Sequence, residues 1–465
     1  MKNTYLLASV CLIVFGSACS KKLNQKATDT PAGTSTRTLT PPPATWQEHW
    51  FEHNQLLHLK YNDTSVAVYF DNDVNASITW PDTYLGQAWN YTKATYGTFG
   101  SDSRLWAIFH AGKYSGGHPS TYFDTSHDLR NVIDVGSSDP NAWTAGTGND
   151  IDLTTHEIGH IVEGASKGVH SSPAFGIWHD SKWMEIYQYD VYLGLGRPAD
   201  ASRWYDLKIP TTDDFPRSGT HWFRDWFYPV YNNYGKSATL NKFFSLLAQY
   251  FPKHTVSNGT FSYPEYTRGM NFGEFVHFWS GAAGVDLKQQ ALLAFGSNDE
   301  NGNDWTLQLA AAKTTFPGIT YASYNDFTSL GTLSVTKENS GGSGATEGSS
   351  KLIDNSYGTK FFLGGFPTGF EMQLTFPSAH TMHSYTITSG NDQPDRDPKA
   401  WQLLGSNDGA TWYVLDSRTG QAFEGRNQTK LFKTANTAGY TRYKWYVSAN
   451  NGSVDFQASE WRVVE

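Results

Sequence analysis

A His-Glu-x-x-His run, His156-Glu157-Ile158-Gly159-His160, lies inside a stretch of helical pattern at 151–162. A four-residue spacing on a helix puts both imidazoles on one face, one turn apart. From ordinary residue frequencies such a run arises by chance in roughly 1% of chains of this length, so its surroundings have to carry the reading. The flanks Ile151, Leu153, Ile158, Ile161 and Val162 are apolar and predict a buried helix, and a buried histidine pair needs partners. Two neutral ring nitrogens on one face make half of a tetrahedral zinc site. Glu157 stands one step around the helix, where its carboxylate meets a water rather than the metal. Two ligands and a general base on one rigid element are what metal-assisted peptide hydrolysis requires. The alternative is a solvated helix that happens to carry two histidines.

Catalytic zinc takes a third protein ligand and leaves its fourth position to water. Glu163, His170, His179, Asp180 and Glu185 follow at usable distances. Glu163 is on the same helix and points away from a metal held by the pair; it either orients a ligand ring or is solvated. His170 stands ten residues after His160, with Gly164 and Gly168 between them. Asp180 and Glu185 flank a second helical segment, 181–193, with apolar faces from Trp183, Ile186, Tyr187, Tyr189 and Val191 and an end at Gly194 and Gly196. Glu185 lies inside this helix and is held more firmly than Asp180 at its start, which makes Glu185 the preferred third ligand. Asp190 is the candidate for orienting a ligand imidazole.

On these residues the region resembles the gluzincins, zinc peptidases with a His-Glu-x-x-His helix and a Glu on a following helix. The form His-Glu-x-Gly-His is similar to that of enhancin-like, mucin-degrading peptidases. Trp183-Met184-Glu185-Ile186-Tyr187 resembles the ligand helix of the basic secretory protein family. In the usual gluzincin helix an Asp follows the Glu ligand by four positions; here that position is Tyr189, and Asp190 comes one later. The resemblance covers 150–195 and implies an α+β zincin-like metallopeptidase. In it Glu157 is the catalytic base and His156, His160 and Glu185 hold Zn2+.

Segments 65–70, 104–109 and 131–135 alternate or run apolar like strands, and 80–95 suggests a helix. In zincins the strand equivalent to 131–135 is the edge that pairs with extended substrate. Further helices are expected at 222–234, 238–250, 272–279 and 304–312. His221, Arg224, Tyr231 and His277 are candidates for steadying an oxyanion. Formal charge is -9 without a Lys/Arg cluster, which argues against nucleic acid as a partner.

The chain start sets the compartment. Lys2 precedes an apolar run at 5–15 and then Gly16-Ser17-Ala18-Cys19, a signal peptide ending like a bacterial lipobox (1–19), with Cys19 as the lipidated residue. Plain cleavage after Ala18 is the alternative. The expected location is the outer membrane or cell surface, or else the periplasm or medium. Contact with the membrane runs only through the lipid anchor. The other cysteine, Cys11, falls inside the signal, so no disulfide is expected. Residues 20–44 are rich in Thr, Ser, Pro, Lys and Ala and read as a disordered tether.

The metallopeptidase region is expected at 45–330, with a hinge near 327–331. From 331 the text changes to short strands between turns, at 331–335, 374–376, 385–387, 401–404, 412–415 and 443–447. The stretches Lys351-Leu352-Ile353-Asp354-Asn355, Asp395-Arg396-Asp397-Pro398-Lys399-Ala400-Trp401 and Gly405-Ser406-Asn407-Asp408-Gly409 resemble the F5/8 type C (discoidin) domain and the family 32 carbohydrate-binding modules. The resemblance covers 331–465 and implies an all-β jelly-roll that binds glycans and often holds a structural Ca2+. Carried over residue by residue, Asp354, Thr359 and Glu460 match the calcium ligands. The alternative is that Asp354 caps a turn and Glu460 forms a surface pair.

The combined expectation is an exported, lipid-anchored zinc metallopeptidase acting on protein or glycoprotein, with a C-terminal module for a glycan ligand. Two alternatives stay open: a catalytically silent glycan-capture lipoprotein, and a zinc hydrolase of a non-peptide amide.

Overall fold

The computed structural model describes residues 40–51, 53–322, 326–356, 358–367 and 369–465. Cys19, the signal and most of the tether lie outside them. An N-terminal mixed α+β region is followed by a largely β-sheet region. No helix among the described residues is long and apolar enough to cross a membrane.

The first region is built on a six-stranded sheet. Its strands are β1 (Thr45–Gln47), β2 (Leu56–Asn62), β3 (Val66–Phe70), β4 (Leu105–Ala111), β5 (Lys113–Ser120) and β6 (Asn131–Ser137), in the order β1-β2-β3-β4-β6-β5. β3, β4 and β6 run parallel; β5 pairs antiparallel with β6 and forms the edge. This corrects the expectation that 131–135 is the edge strand. β5 carries no strand signal in the sequence, because its Gly-Gly and Pro break the apolar pattern that marks a strand.

β3 and β4 are buried along their whole length, so both faces of the sheet are covered. Side chains alternate between the faces. Val66, Val68, Leu105, Ala107, Ile133 and Val135 join the core shared with the helices. Ala67, Tyr69, Trp106, Ile108 and Val132 pack on the other side against Trp46, Trp50 and Leu57. On that second side Arg130 lies over the rings of Trp106 and Trp46, 4.0 and 4.2 Å from their centroids.

Five helices matter for the site: α1 (Trp80–Tyr96), α2 (Asn149–Ala165), α3 (Phe175–Trp178), α4 (Lys182–Gly194) and α5 (Pro198–Lys208). α2 carries the His-Glu-x-x-His run. α4 crosses it at Gly159, where a Cβ would stand 2.8 Å from Met184 Sδ and 2.9 Å from Tyr187 Cδ1. The glycine of the motif is thus a packing requirement. Asp152 ties the three helices together: Tyr192 donates to it, Arg203 from α5 binds both oxygens at 2.6 and 2.8 Å, and Gln188 donates to its backbone carbonyl.

The second region places strands Phe370–His380, Pro398–Ser406 and Tyr440–Asn450 at the centre of a five-stranded sheet, with a three-stranded sheet around Ser384–Thr388. Its core contains Trp401, Trp445 and Trp461 and begins at Phe327, ahead of the expected boundary at 331. Phe327 stacks on His380 with centroids 4.6 Å apart, and Asp326 pairs with Arg462 at 2.8 Å. The 340–344 stretch follows the strand Thr332–Val335 as a loop.

Candidate functional site

Among the described residues, two groups of His, Asp and Glu bring ligand atoms within 4.8 Å of one another: His156, His160 and Asp180, and Glu48, His53, His110 and Asp134. The first contains the motif. His156 Nε2 and His160 Nε2 lie 3.2 Å apart. Asp180 Oδ1 is 3.2 Å from His160 Nε2, and Asp180 Oδ2 is 3.8 Å from His156 Nε2. Three donors thus converge, and the Asp180 side chain is 73% exposed, so the cluster opens to solvent.

Glu185 is not brought to this cluster. Its carboxylate receives a hydrogen bond of 3.0 Å from Lys208 Nζ on α5, and its backbone carbonyl accepts from Trp204. The reason is local. α3 ends at His179, whose φ of +51° turns the chain back, so Asp180 reaches the histidines before α4 begins. By the first turn of α4, position 185 already faces α5. Asp190 does not orient an imidazole either; it accepts from Tyr231 at 2.7 Å and from Tyr91 at 3.0 Å. The residue beside a ligand ring is Glu163, whose Oε2 is 3.1 Å from His160 Nδ1 and whose Oε1 accepts from Trp178. Such a carboxylate fixes tautomer and ring orientation. His170 pairs with Glu265, and His179 packs on Phe215.

Glu157 is buried, and its Oε2 has no hydrogen-bond partner. It lies against the edge strand: a Cβ on Gly117 would stand 2.7 Å from both its Cγ and its Oε1. Burial pushes the Glu157 carboxyl up to about 7, against the opposing effect of His160. Burial and the adjacent His160 push His156 down to about 4. At His160 burial is outweighed by hydrogen bonds to Asp180 and Glu163, which push it up to about 10. The same bond to His160 holds Asp180 below its usual range. Two imidazoles and one carboxylate are the donors zinc takes at an open site.

The four residues considered for the oxyanion are engaged elsewhere. His221 bonds the Thr211 carbonyl, Arg224 pairs with Asp225, Tyr231 donates to Asp190 and His277 meets Tyr321.

In the second region Asp354, Thr359 and Glu460 do come together. Thr359 Oγ1 donates to Asp354 at 3.0 Å, and the Ser356 amide bridges Asp354 Oδ1 and Glu460 Oε1 at 3.0 and 2.9 Å. Burial pushes Glu460 up to about 8, Arg462 opposing and Asp354 adding to it. Two carboxylates and a hydroxyl are hard oxygen donors of the kind calcium takes.

No family model matches the chain. A peptide-N(4)-(N-acetyl-beta-glucosaminyl)asparagine amidase of Arabidopsis thaliana is 54% identical over 55 residues, which is 12% of this chain. The chain spans 8% of the length of that relative. Solved structures that it resembles include a family 32 carbohydrate-binding module from Clostridium perfringens in complex with galactose. That one is 15% identical, with a TM-score of 0.26, and covers 30% of this chain and 99% of its own. An F5/8 type C domain from Bacteroides fragilis is 13% identical, with a TM-score of 0.27, and covers 31% of this chain and 95% of its own.

Proposed function

We propose that the chain is an exported, lipid-anchored, zinc-dependent metallopeptidase of the gluzincin type. It would cleave proteins or glycoproteins and carry a glycan-binding module in its C-terminal region. The observation that carries the peptidase reading is the convergence of His156, His160 and Asp180 beside a buried carboxylate, Glu157, that lies against a sheet edge. His156, His160 and Asp180 would hold the metal, with Glu163 setting the His160 ring. When bound, zinc supplies Lewis acidity to a carbonyl oxygen and to a water.

The chain's own residues do the rest. β5 leaves one side unpaired, so an extended peptide adds to it as a further strand and passes beside Gly117. With no side chain there, the peptide backbone approaches Glu157 closely. Glu157 takes a proton from the attacking water and delivers it to the leaving amine, and a carboxyl held near neutrality by burial suits both transfers.

The anchor reading rests on the Cys19 lipobox, and the glycan reading on the sequence resemblance of 331–465 together with its β-sheet build. Calcium would sit at Asp354, Thr359 and Glu460. The deciding experiment is digestion of casein and of a mucin-type glycoprotein by the full chain, with and without chelator, with cut sites mapped by mass spectrometry. Chelator-sensitive cuts with recovery on zinc addition are expected. Intact substrates would favour a silent glycan-capture protein, and release of non-peptide amides alone would favour the other hydrolase.

A further inference from the structure

The other histidine–carboxylate cluster lies on the sheet face opposite α2. His110 ends the β4 row Trp106, Ile108; Asp134 follows Val132 on β6; Glu48 and His53 come from the segment after β1. His110 Nε2 stands 2.9 Å from Glu48 Oε1 and 3.1 Å from Asp134 Oδ1. His53 Nδ1 is 3.7 Å from Glu48 Oε1 and 3.0 Å from Asp134 Oδ2. Ligand atoms about 2.1 Å from one tetrahedral ion stand about 3.4 Å apart, and one ligand atom from each of the four side chains lies within 4.8 Å of the others.

The outward-facing atoms of the same side chains are already engaged. Asp71 Oδ2 binds His110 Nδ1 at 2.9 Å, the Gln55 amide donates to Glu48 Oε2 at 2.8 Å, and Trp50 Nε1 donates to Asp134 Oδ2 at 2.9 Å. The inward-facing atoms Glu48 Oε1, His110 Nε2 and Asp134 Oδ1 are buried and lie close to one another, but among the described residues none has a well-aligned hydrogen bond. Glu48, His110 and Asp134 are 2%, 0% and 1% exposed. Three carboxylates, Glu48, Asp71 and Asp134, thus meet around the buried His110 imidazole, with His53 and His118 also against Asp134 and Lys113 on Asp71. Buried carboxylates of that density need a positive partner, which is either a protonated His110 imidazole or a metal ion between them.

We propose that Glu48, His53, His110 and Asp134 form a second, closed binding site for a zinc-class divalent transition metal, with Asp71 orienting the His110 ring. All four positions are filled by protein, which marks a structural and not a catalytic site. The carboxylate bound to the far nitrogen of a ligand histidine is the usual support of such a ring. The site would clamp the segment after β1 onto the sheet. It would also brace β5, because His118 Nε2 reaches Asp134 Oδ2 at 3.3 Å while the preceding Gly117 faces Glu157 on the other side. The inference does not depend on the peptidase reading.

The test uses the full chain with the motif pair removed, His156→Ala/His160→Ala. After chelation and reloading with Co2+, this variant is expected to hold about one equivalent by elemental analysis, with the intense visible bands of a tetrahedral ion. Adding Glu48→Gln or, separately, Asp134→Asn should abolish both, with folding checked by circular dichroism. The parent variant should melt several degrees higher with Zn2+ than with chelator. If the folded double variant binds no transition metal, or holds an equivalent that neither further change disturbs, the cluster is a metal-free network. The first readout needs no change in the second cluster, so a misfolded Glu48 or Asp134 variant does not shield the proposal.

Discussion

The two histidine–carboxylate clusters share one sheet and differ in how they meet water. At the α2 cluster the third donor, Asp180, is 73% exposed, and the histidine side chains are 18% and 9% exposed. At the opposite cluster Glu48, His110 and Asp134 side chains are fully buried and His53 is 14% exposed. An open position is what chemistry on a substrate requires, and a closed shell is what structural metal requires. On the proposed readings, similar residue types would serve different ends according to the element that carries them. A loop-borne aspartate at the surface leaves room for substrate, whereas His110 and Asp134 on strands inside the sheet, covered by the segment after β1, do not.

The sharpest way to break this contrast is at Glu157. Glu157→Gln keeps the side-chain shape and both histidines but removes the base. Turnover should fall about 10²–10⁴-fold with zinc content unchanged, measured on one sample. Wild-type activity in this variant would reduce the open cluster to another structural site.

Next in size is the third ligand. Asp180→Ala should lower metal affinity at the α2 cluster by at least about 10–100-fold, the cost of losing even an outer partner of a ligand, whereas Glu185→Ala should leave it intact and cost stability by stranding Lys208. Competition with a chromogenic chelator measures the first effect and thermal melts the second. Metal lost on the Glu185 change, with the Asp180 change silent, would restore the helix-borne ligand.

This pair of residues also shows how far the sequence reached. The α2 helix, its burial and the His156/Glu157/His160 geometry follow from local periodicity, which a chain states openly. The choice between Asp180 and Glu185 depends on the turn at His179, a backbone feature that no residue type there announces. The closed cluster was invisible for a different reason. Its ligands spread from residue 48 to residue 134 and meet only through sheet order. The one local signal was a polar residue inside each of two apolar strands, His110 in Leu-Trp-Ala-Ile-Phe-His-Ala and Asp134 in Asn-Val-Ile-Asp-Val. β5 hid its role behind glycines, although one of them, Gly117, is what lets it approach Glu157.

That approach gives a smaller, more local test. Gly117→Ala sets a methyl 2.7 Å from Glu157 and should cut kcat/KM about 10–100-fold by displacing the base. Gly116 has a φ of +83° and nothing within 4 Å of a built Cβ. Gly116→Ala should cost about 1–2 kcal/mol of stability through backbone strain and leave activity near wild type. Equal activity losses at both positions would mean that the strand as a whole, and not its face toward α2, governs the site.

A further test, remote from both sites, comes from a buried carboxylate that neither cluster uses. Asp190 is 1% exposed, and among the described residues its side chain accepts hydrogen bonds only from the hydroxyls of Tyr91 and Tyr231. Burial pushes it up to about 6, the two tyrosines opposing. Its unfolded value is about 3.9, so the folded state holds the proton more tightly. The resulting stabilisation is complete below about 3.9 and is lost as pH rises through about 6. Above that, the folded wild type keeps a buried charge that costs at most about 3 kcal/mol relative to the protonated form. Asp190→Asn is neutral at every pH. Its stability relative to wild type should therefore rise by about 1–3 kcal/mol between pH 4 and pH 8, read as the difference between paired denaturant melts. The difference cancels the other titrating groups common to both proteins. A gap that stays constant with pH would show that hydroxyls alone suffice to hold a buried carboxylate charged, and would remove the main reason for placing a cation among Glu48, Asp71 and Asp134.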